Sequence, residues 1–115
     1  MQHSSPSPRA DAHARLAARY GALIDALLAR GAYDQLGNDT RLSLVNLSWM
    51  CRELTRAAAT MPIDKAARWL GFIQGCLAMR GLIDVDAERD ITRPIFHAAY
   101  TAEGLPDQAT RARDT

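Results

Sequence analysis

The segment Ala66–Gly81 (AARWLGFIQGCLAMRG) constrains the fold more than any other part of the chain, because it carries the longest uninterrupted helical pattern of apolar residues. Four apolar residues recur at spacings of three and four positions: Ala66, Leu70, Ile73 and Leu77. Three further residues broaden the face that these four share: Trp69, Phe72 and Cys76. Such spacings align side chains along one side of an α-helix. The pattern therefore predicts a helix with a broad apolar face, placed innermost in a small helical domain.

A line of small residues runs along the same segment, with Ala67, Gly71 and Gly75 at every fourth position. A glycine inside a helix costs about 1 kcal/mol relative to alanine. Two such glycines one turn apart predict that another backbone approaches this side of the helix closely. The neighbour is either a helix of the same chain or a helix of a second copy in a homodimer, and the sequence leaves both open.

Composition limits the classes of protein to which the chain can belong. Its 115 residues are 48% hydrophobic and 23% charged, which is typical of one globular domain. A formal net charge of +1 gives no electrostatic basis for binding nucleic acid or an anionic membrane. No stretch is typical of a signal peptide or a membrane span, and Cys51 and Cys76 are interpreted as free thiols of a reducing compartment. A cytoplasmic protein is the expectation.

Capping and turn residues divide the chain into four predicted helices. Their approximate bounds are Arg9–Arg30, Thr40–Ala59, Pro62–Gly81 and, after the cap Asp84, a last helix that ends at Gly104. Ser7 is predicted to cap the first helix, and Asp39 or Thr40 the second. Gly31 is the predicted left-handed residue that ends the first helix. Pro94 lies inside the fourth helix and is expected to kink it or to split it in two.

The predicted fold is all-α: a small antiparallel bundle of about four helices, with the third and fourth packed together across the turn at Gly81. Residues 9–103 form the helical domain. Residues 1–8, which are rich in serine and proline, are expected to be disordered, and residues 104–115 to form a flexible C-terminal tail.

Trp49 and Trp69 each fall on an apolar helix face, and two interpretations remain open for them. Burial in the core is the commoner outcome for a tryptophan in that position. Tryptophan is also enriched among the residues that dominate the binding energy at protein interfaces. Under the second interpretation both residues are anchors for a protein partner, alongside the small-residue line as a self-association face.

A polar cluster on the fourth helix is the candidate ligand site. Arg89 and Arg93 are one turn apart, as are Arg93 and His97. With Arg68 and Gln74 of the third helix they could line a pocket for a phosphate or a carboxylate. The alternative is a solvated helix face whose ion pairs contribute little to stability.

Motifs for other chemistry are missing from the sequence or disfavoured by its charges. The turn at Gly81 resembles that of a helix-turn-helix, but four carboxylates begin the second helix and would repel the phosphates of DNA. His97 has no identifiable nucleophile beside it, and the cysteines and histidines show no metal-ligand spacing. The sequence therefore predicts a protein without enzymatic activity, metal or cofactor, and makes DNA an unfavoured partner.

A short pattern lies within residues 68–82: Arg-Trp-Leu-Gly-Phe-x-Gln-Gly-x-Leu, followed by Gly-Leu. It comprises Arg68, Trp69, Leu70, Gly71, Phe72, Gln74, Gly75, Leu77, Gly81 and Leu82. In this pattern, and in the acidic helix start that follows it, the chain resembles a group of small bacteriophage and prophage proteins that have no established activity. The resemblance implies a phage or prophage gene product that acts in the cytoplasm of a bacterial host.

The favoured function is that of a non-enzymatic interaction protein, a homodimer that binds a host or phage protein. The alternative is a protein that binds a small ligand, a nucleotide or an anion, in the polar cluster. The two hypotheses depend on different surfaces, because the first uses the tryptophans and the small-residue line, and the second uses the arginines and His97.

Overall fold

The computed structural model describes residues 7–32, 34 and 37–106, and every regular element in this part of the chain is helical. The elements are helix α1 (Pro8–Ala29), a 3₁₀ turn (Thr40–Leu42), and helices α2 (Leu44–Ala57), α3 (Ile63–Met79) and α4 (Val85–Ala102). The prediction of an all-α bundle of about four helices is confirmed. Residues 1–6 and 107–115, to which most of the predicted disordered ends belong, lie outside the described residues.

Three predicted helix ends are formed by the residues that local chemistry selects. Ser7 Oγ accepts a hydrogen bond from the Ala10 amide at 3.0 Å, and the Asp84 carboxylate accepts one from the Ala87 amide at 2.9 Å. Each bond satisfies an amide that the first turn of a helix leaves without a backbone partner. Gly31 follows α1 with a φ of +81°, a left-handed conformation in which other residues are strained.

The second long helix begins later than the sequence predicts. Asp39 caps only the 3₁₀ turn, where its carboxylate accepts from the Arg41 amide at 2.9 Å. Ser43 then adopts an extended conformation and caps α2 by accepting from the Asn46 amide at 3.1 Å. Two successive caps therefore break the helix that was predicted to run unbroken from Thr40, because a serine side chain competes for backbone amides.

Helix α1 is the central element, since it packs against α2, α3 and α4. Its neighbours along α2 follow in antiparallel order: Asp25 beside Ser48, and Gly21 beside Cys51. Its neighbours along α4 also follow in antiparallel order: Arg19 beside Glu88, and Arg9 beside Glu103. The helices that flank α1 on these two sides are thus both antiparallel to it, as the bundle prediction requires.

One hydrophobic core lies between α1, α2 and α3. Its largest fully buried side chains are Tyr20, Leu16, Ile24, Leu44, Leu47, Leu54, Ile73, Leu77 and Cys51. Helix α3 contributes the face that its spacing predicts: Ala66, Leu70, Ile73 and Leu77. Among the described residues, α4 contributes no member of this buried cluster, and its Ile95 and Phe96 pack against the cluster half-buried.

The placement of α3 and α4 differs from the prediction. Helix α1, and not α3, is innermost, and α4 packs on α1 rather than across the Gly81 turn on α3. The face that α4 turns inward carries Glu88 and Ala99, and the Glu88 carboxylate is bound by two side chains of α1. Helix α4 also runs unbroken through Pro94, which is exposed, so the alternative of two short helices is wrong.

Candidate functional site

From residue 69 onward, the outward face of α3 lacks the charged side chains that a surface helix ordinarily carries. Residues 69–79 contain no charged side chain. Phe72 is nevertheless 39% exposed and Met79 83% exposed, and Gly71 and Gly75 are also at the surface. A helix on the outside of a globular protein usually places charged or polar residues opposite its buried face. This side of α3 therefore presents apolar surface to solvent.

The apolar surface continues onto α2 through a pair of tryptophans. Trp49 is 46% exposed, and its ring packs on that of Trp69 with the centroids 5.7 Å apart. Val45, one turn before Trp49, is 57% exposed. We call Val45, Trp49, Trp69, Phe72 and Met79 together the tryptophan surface. It has a cationic edge, because the Lys65 ammonium lies 5.4 Å from the centroid of the Trp69 ring.

The two tryptophans differ in burial, so each fits a different one of the two interpretations. Trp69 is half-buried and packs against the core, whereas Trp49 is exposed and covers Trp69 from outside. Sequence reasoning assigned Phe72 to the buried face and did not single out Val45 or Met79 as surface residues. The signal that identifies this surface is the absence of charge from residues 69–79, since an apolar face that surrounds most of a helix cannot be covered by one small core.

The small-residue line lies on the exposed side of α3. Ala67, Gly71 and Gly75 are all exposed, and a Cβ atom added to either glycine would meet nothing within 4 Å. The expectation that a helix of the same chain presses on these glycines is therefore wrong for the described part of the chain. The buried face of α3 is turned toward α1 and α2, which leaves the glycines on the opposite side. The alternative neighbour, a second copy of the chain, stays a prediction.

The five residues of the candidate anion pocket do not share one face. Arg68 is exposed and pairs with Asp64 of its own helix at 2.9 Å, whereas Gln74 turns inward and donates to the Tyr20 hydroxyl at 3.1 Å. A separation of six residues places two side chains about 120° apart around a helix. The remaining three are exposed on α4: Arg89, Arg93 and His97. Gln74 is thus part of the interior rather than of a binding face.

A buried polar network joins α1, α3 and α4. Glu88 Oε2 accepts from Arg19 at 2.5 Å and from the Tyr20 hydroxyl at 2.8 Å, and the same hydroxyl accepts from Gln74. The hydrogen bond from Arg19 holds the pKa of Glu88 below its ordinary value, and burial raises the pKa of Tyr20 to about 12. From sequence, Glu88 was one carboxylate of an exposed helix start. Its spacing of eleven from Ala99 places the two side chains on one face of α4, and the structure shows that this face is turned inward.

Burial keeps the two thiols and the His13 imidazole uncharged at neutral pH. Burial raises the pKa of the Cys51 thiol to about 12 and also raises that of Cys76, so neither is a thiolate at neutral pH. His13 Nδ1 donates to the Arg9 carbonyl at 2.7 Å, and burial lowers the pKa of its imidazole. Among the described residues, no group of three or more His, Cys, Asp or Glu side chains is arranged to hold a metal ion.

Comparison with protein-family models, with curated proteins and with solved structures gives no match for this chain. Over the described residues, none of the helices combines the length and apolarity needed to cross a membrane.

Proposed function

We propose that this chain is a non-enzymatic interaction protein that forms a homodimer through the tryptophan surface and binds a protein partner in that dimeric form. The observation that carries the proposal is the exposed, uncharged outer face of α3, continued on α2 by the Trp49–Trp69 pair. Tryptophan, phenylalanine and methionine are enriched at the centres of interfaces, where charged residues are depleted. The alternative ligand pocket has less support, because Gln74 is engaged by Tyr20.

The energetics of this surface favour a symmetric contact. The exposed parts of its side chains amount to an apolar area on the order of 400 Å², the size of a patch that is often functional on a monomer. Removing that area from water is worth about 10 kcal/mol at 25 cal/mol per Å². Association itself costs about 4–15 kcal/mol. A two-fold contact places the same apolar surface on both subunits, so the area removed from water on the second subunit is equally apolar.

The exposed glycines support the same arrangement. Gly71 and Gly75 border Phe72 and Met79 on α3, and both weaken the helix without relieving any contact within the described chain. In a contact between two α3 helices, residues without a Cβ allow the backbones to approach closely. The cost of glycine in the monomer is then offset in the dimer.

The cellular setting belongs to the proposal as well. Four residues of the pattern that resembles phage and prophage proteins lie on the outer face of α3 or at its edge: Trp69, Gly71, Phe72 and Gly75. We infer a phage or prophage product in the bacterial cytoplasm, where its two free thiols stay reduced and its partner is a host or phage protein.

The oligomeric state of matched variants tests the proposal. Phe72 is 39% exposed on the tryptophan surface, and Ile91 is 38% exposed on α4. We expect sedimentation equilibrium to show a dimer for the native chain and for Ile91→Glu, and a monomer for Phe72→Glu with unchanged helical circular dichroism. A native chain that stays monomeric at high concentration, or a Phe72→Glu variant that dimerises as tightly as Ile91→Glu, would contradict the homodimer.

Binding of a partner is tested with the same two variants. Affinity capture from a lysate of the bacterial host should recover a stoichiometric protein with the native chain and with Ile91→Glu, and lose it with Phe72→Glu. Equal recovery by both variants would show that partner binding depends neither on the tryptophan surface nor on the dimer.

A further inference from the structure

Helix α4 is attached to the bundle differently from the other helices. The buried hydrophobic cluster draws its described members from α1, α2, α3 and the segments next to them. Of the eighteen residues of α4, the two that are buried are Glu88 and Ala99, and one of these is a carboxylate. The described part of the buried cluster thus contains no side chain of α4, and Ile95 and Phe96 of α4 pack against it half-buried.

The C-terminal end of α4 is held by an ion pair to the start of α1. Glu103, the residue that follows α4, accepts from Arg9 through both oxygens: Oε1 from the guanidinium Nε at 3.0 Å and Oε2 from the backbone amide at 2.7 Å. The Arg9 guanidinium also lies 5.8 Å from the centroid of the Tyr100 ring. The side chains of this ion pair are only partly buried, so dissolved salt can still screen their attraction.

The N-terminal end of α4 is held by the Glu88 cluster. The Glu88 carboxylate accepts from Arg19 and from the Tyr20 hydroxyl, both of α1. Between the two clusters, the Phe96 ring meets the edge of the His13 imidazole with the centroids 5.0 Å apart. Among the described residues, the charged and titratable side chains of α1 in these contacts are Arg9, His13, Arg19 and Tyr20.

We propose that α4 releases from α1 as a unit while α1, α2 and α3 stay folded, with the Glu88 and Glu103 clusters as the contacts that open. Regions with few buried apolar contacts open at lower free energy than the core that remains. Release uncovers the side of α1 that carries His13 and Tyr20, and so creates a second surface that the closed bundle conceals. The proposal is independent of the homodimer, since it involves neither the tryptophan surface nor the glycines.

Native-state hydrogen exchange tests this release on the full chain. In the native protein we expect amides of residues 89–102 to exchange at least about tenfold faster than those of α2 residues 47–54, with a weaker dependence on denaturant. Glu88→Gln, which removes the charge but keeps a similar shape, should accelerate exchange in α4 further and leave residues 47–54 unchanged. Glu53→Gln is the control, because it breaks an exposed ion pair with Arg56 inside α2.

A second experiment measures hydrogen exchange of the native chain at different ionic strengths. It needs no substitution, so it tests the proposal even if a variant fails to fold. Raising the ionic strength should speed exchange in residues 89–102 of the native chain relative to residues 47–54, because salt weakens partly exposed ion pairs more than apolar contacts. The proposal is overturned if the two regions exchange with one common opening free energy and one common denaturant dependence. It is also overturned if Glu88→Gln or salt changes both regions by the same factor.

Discussion

Helices α3 and α4 have nearly the same length and both pack on α1, yet they are opposites in cross-section. Helix α3 has an apolar inner face in the core and an outer face without charge over residues 69–79. Helix α4 has a carboxylate on its inner face and exposed charges outside, among them Arg89 and Arg93. Helix α3 is held by the buried apolar contacts that it contributes to the core, and it exposes further apolar side chains. Helix α4 has few buried apolar contacts, so it contributes little to the core, and it exposes charged side chains.

The largest expected difference between the two helices is in core packing. Ile73→Ala in α3 should lower the free energy of unfolding by about 2–5 kcal/mol, because its side chain is fully buried. Ile95→Ala in α4 removes the same atoms from a half-buried site and should cost about 1 kcal/mol. Urea denaturation of the two variants measures both values. Equal costs would show that α4 belongs to the core as fully as α3 does.

The next prediction concerns the polar attachment of α4. Glu88→Ala should lower the free energy of unfolding by about 1–3 kcal/mol, because it leaves the Tyr20 hydroxyl and Arg19 without their acceptor. Glu53→Ala, which breaks an exposed ion pair within α2, should change stability little. Thermal denaturation followed by circular dichroism compares the two. A Glu88→Ala variant as stable as Glu53→Ala would mean that the buried cluster contributes nothing.

Acidification should weaken the α1–α4 contact in two steps. His13 faces the Arg9 charge and the Phe96 ring, and burial lowers its pKa from 6.5. The unfolded chain then binds the proton more readily, so the stability contributed by neutral His13 is complete above pH 6.5 and is lost as the pH falls through that value toward its lowered pKa. The pKa of Glu88 is lowered from 4.5, so its contribution is lost only below that pH.

The melting temperature, measured from pH 8 to well below pH 4.5, checks this order. We expect a fall of a few degrees that begins near pH 6.5 in the native chain and is missing from His13→Asn. A melting temperature that is flat between pH 7 and pH 5 would exclude the contribution of His13.

The smallest expected change in stability, that of Gly71→Ala, tests whether a second helix packs on the outer face of α3. Gly71→Ala should stabilise the monomer against urea by up to about 1 kcal/mol, since the added methyl group meets nothing within 4 Å and alanine favours helix. Gly21→Ala is the matched comparison, because its Cβ would lie 3.2 Å from the Cβ of Cys51 and part of the gain is offset. If two α3 helices meet at Gly71, the same alanine should weaken the dimer. Tighter dimerisation by Gly71→Ala would remove the glycines from the interface.

The parts of the fold that follow from neighbouring residues could be predicted from the sequence. The cap at Ser7, the end at Gly31 and the buried face of α3 all depend on groups within one or two turns. The start of α2 could not be predicted from the helical pattern of apolar residues. Asp39 and Ser43 can both cap a helix, and the pattern does not show which of them begins the long one.

The parts that depend on distant partners could not be predicted. Glu88 is buried because Arg19 and Tyr20, far away in the chain, supply its donors. Gly71 has the same helical spacing whether a helix or solvent lies beside it, so its spacing alone could not decide between the two. The inward placement of Gln74 could not be predicted for the same reason, since the hydroxyl that accepts its hydrogen bond belongs to Tyr20 of α1.

Both tryptophans of the sequence, Trp49 and Trp69, stand ring against ring at one place on the molecule. Ultraviolet excitation near the red edge of protein absorption therefore yields emission from that place alone, and none from α4. A colour shift or quenching of this emission would signal occupancy of the site in real time without any attached dye. The same emission should stay constant while α4 moves. With a label attached to α4, tryptophan emission and label emission would therefore report on the two regions separately.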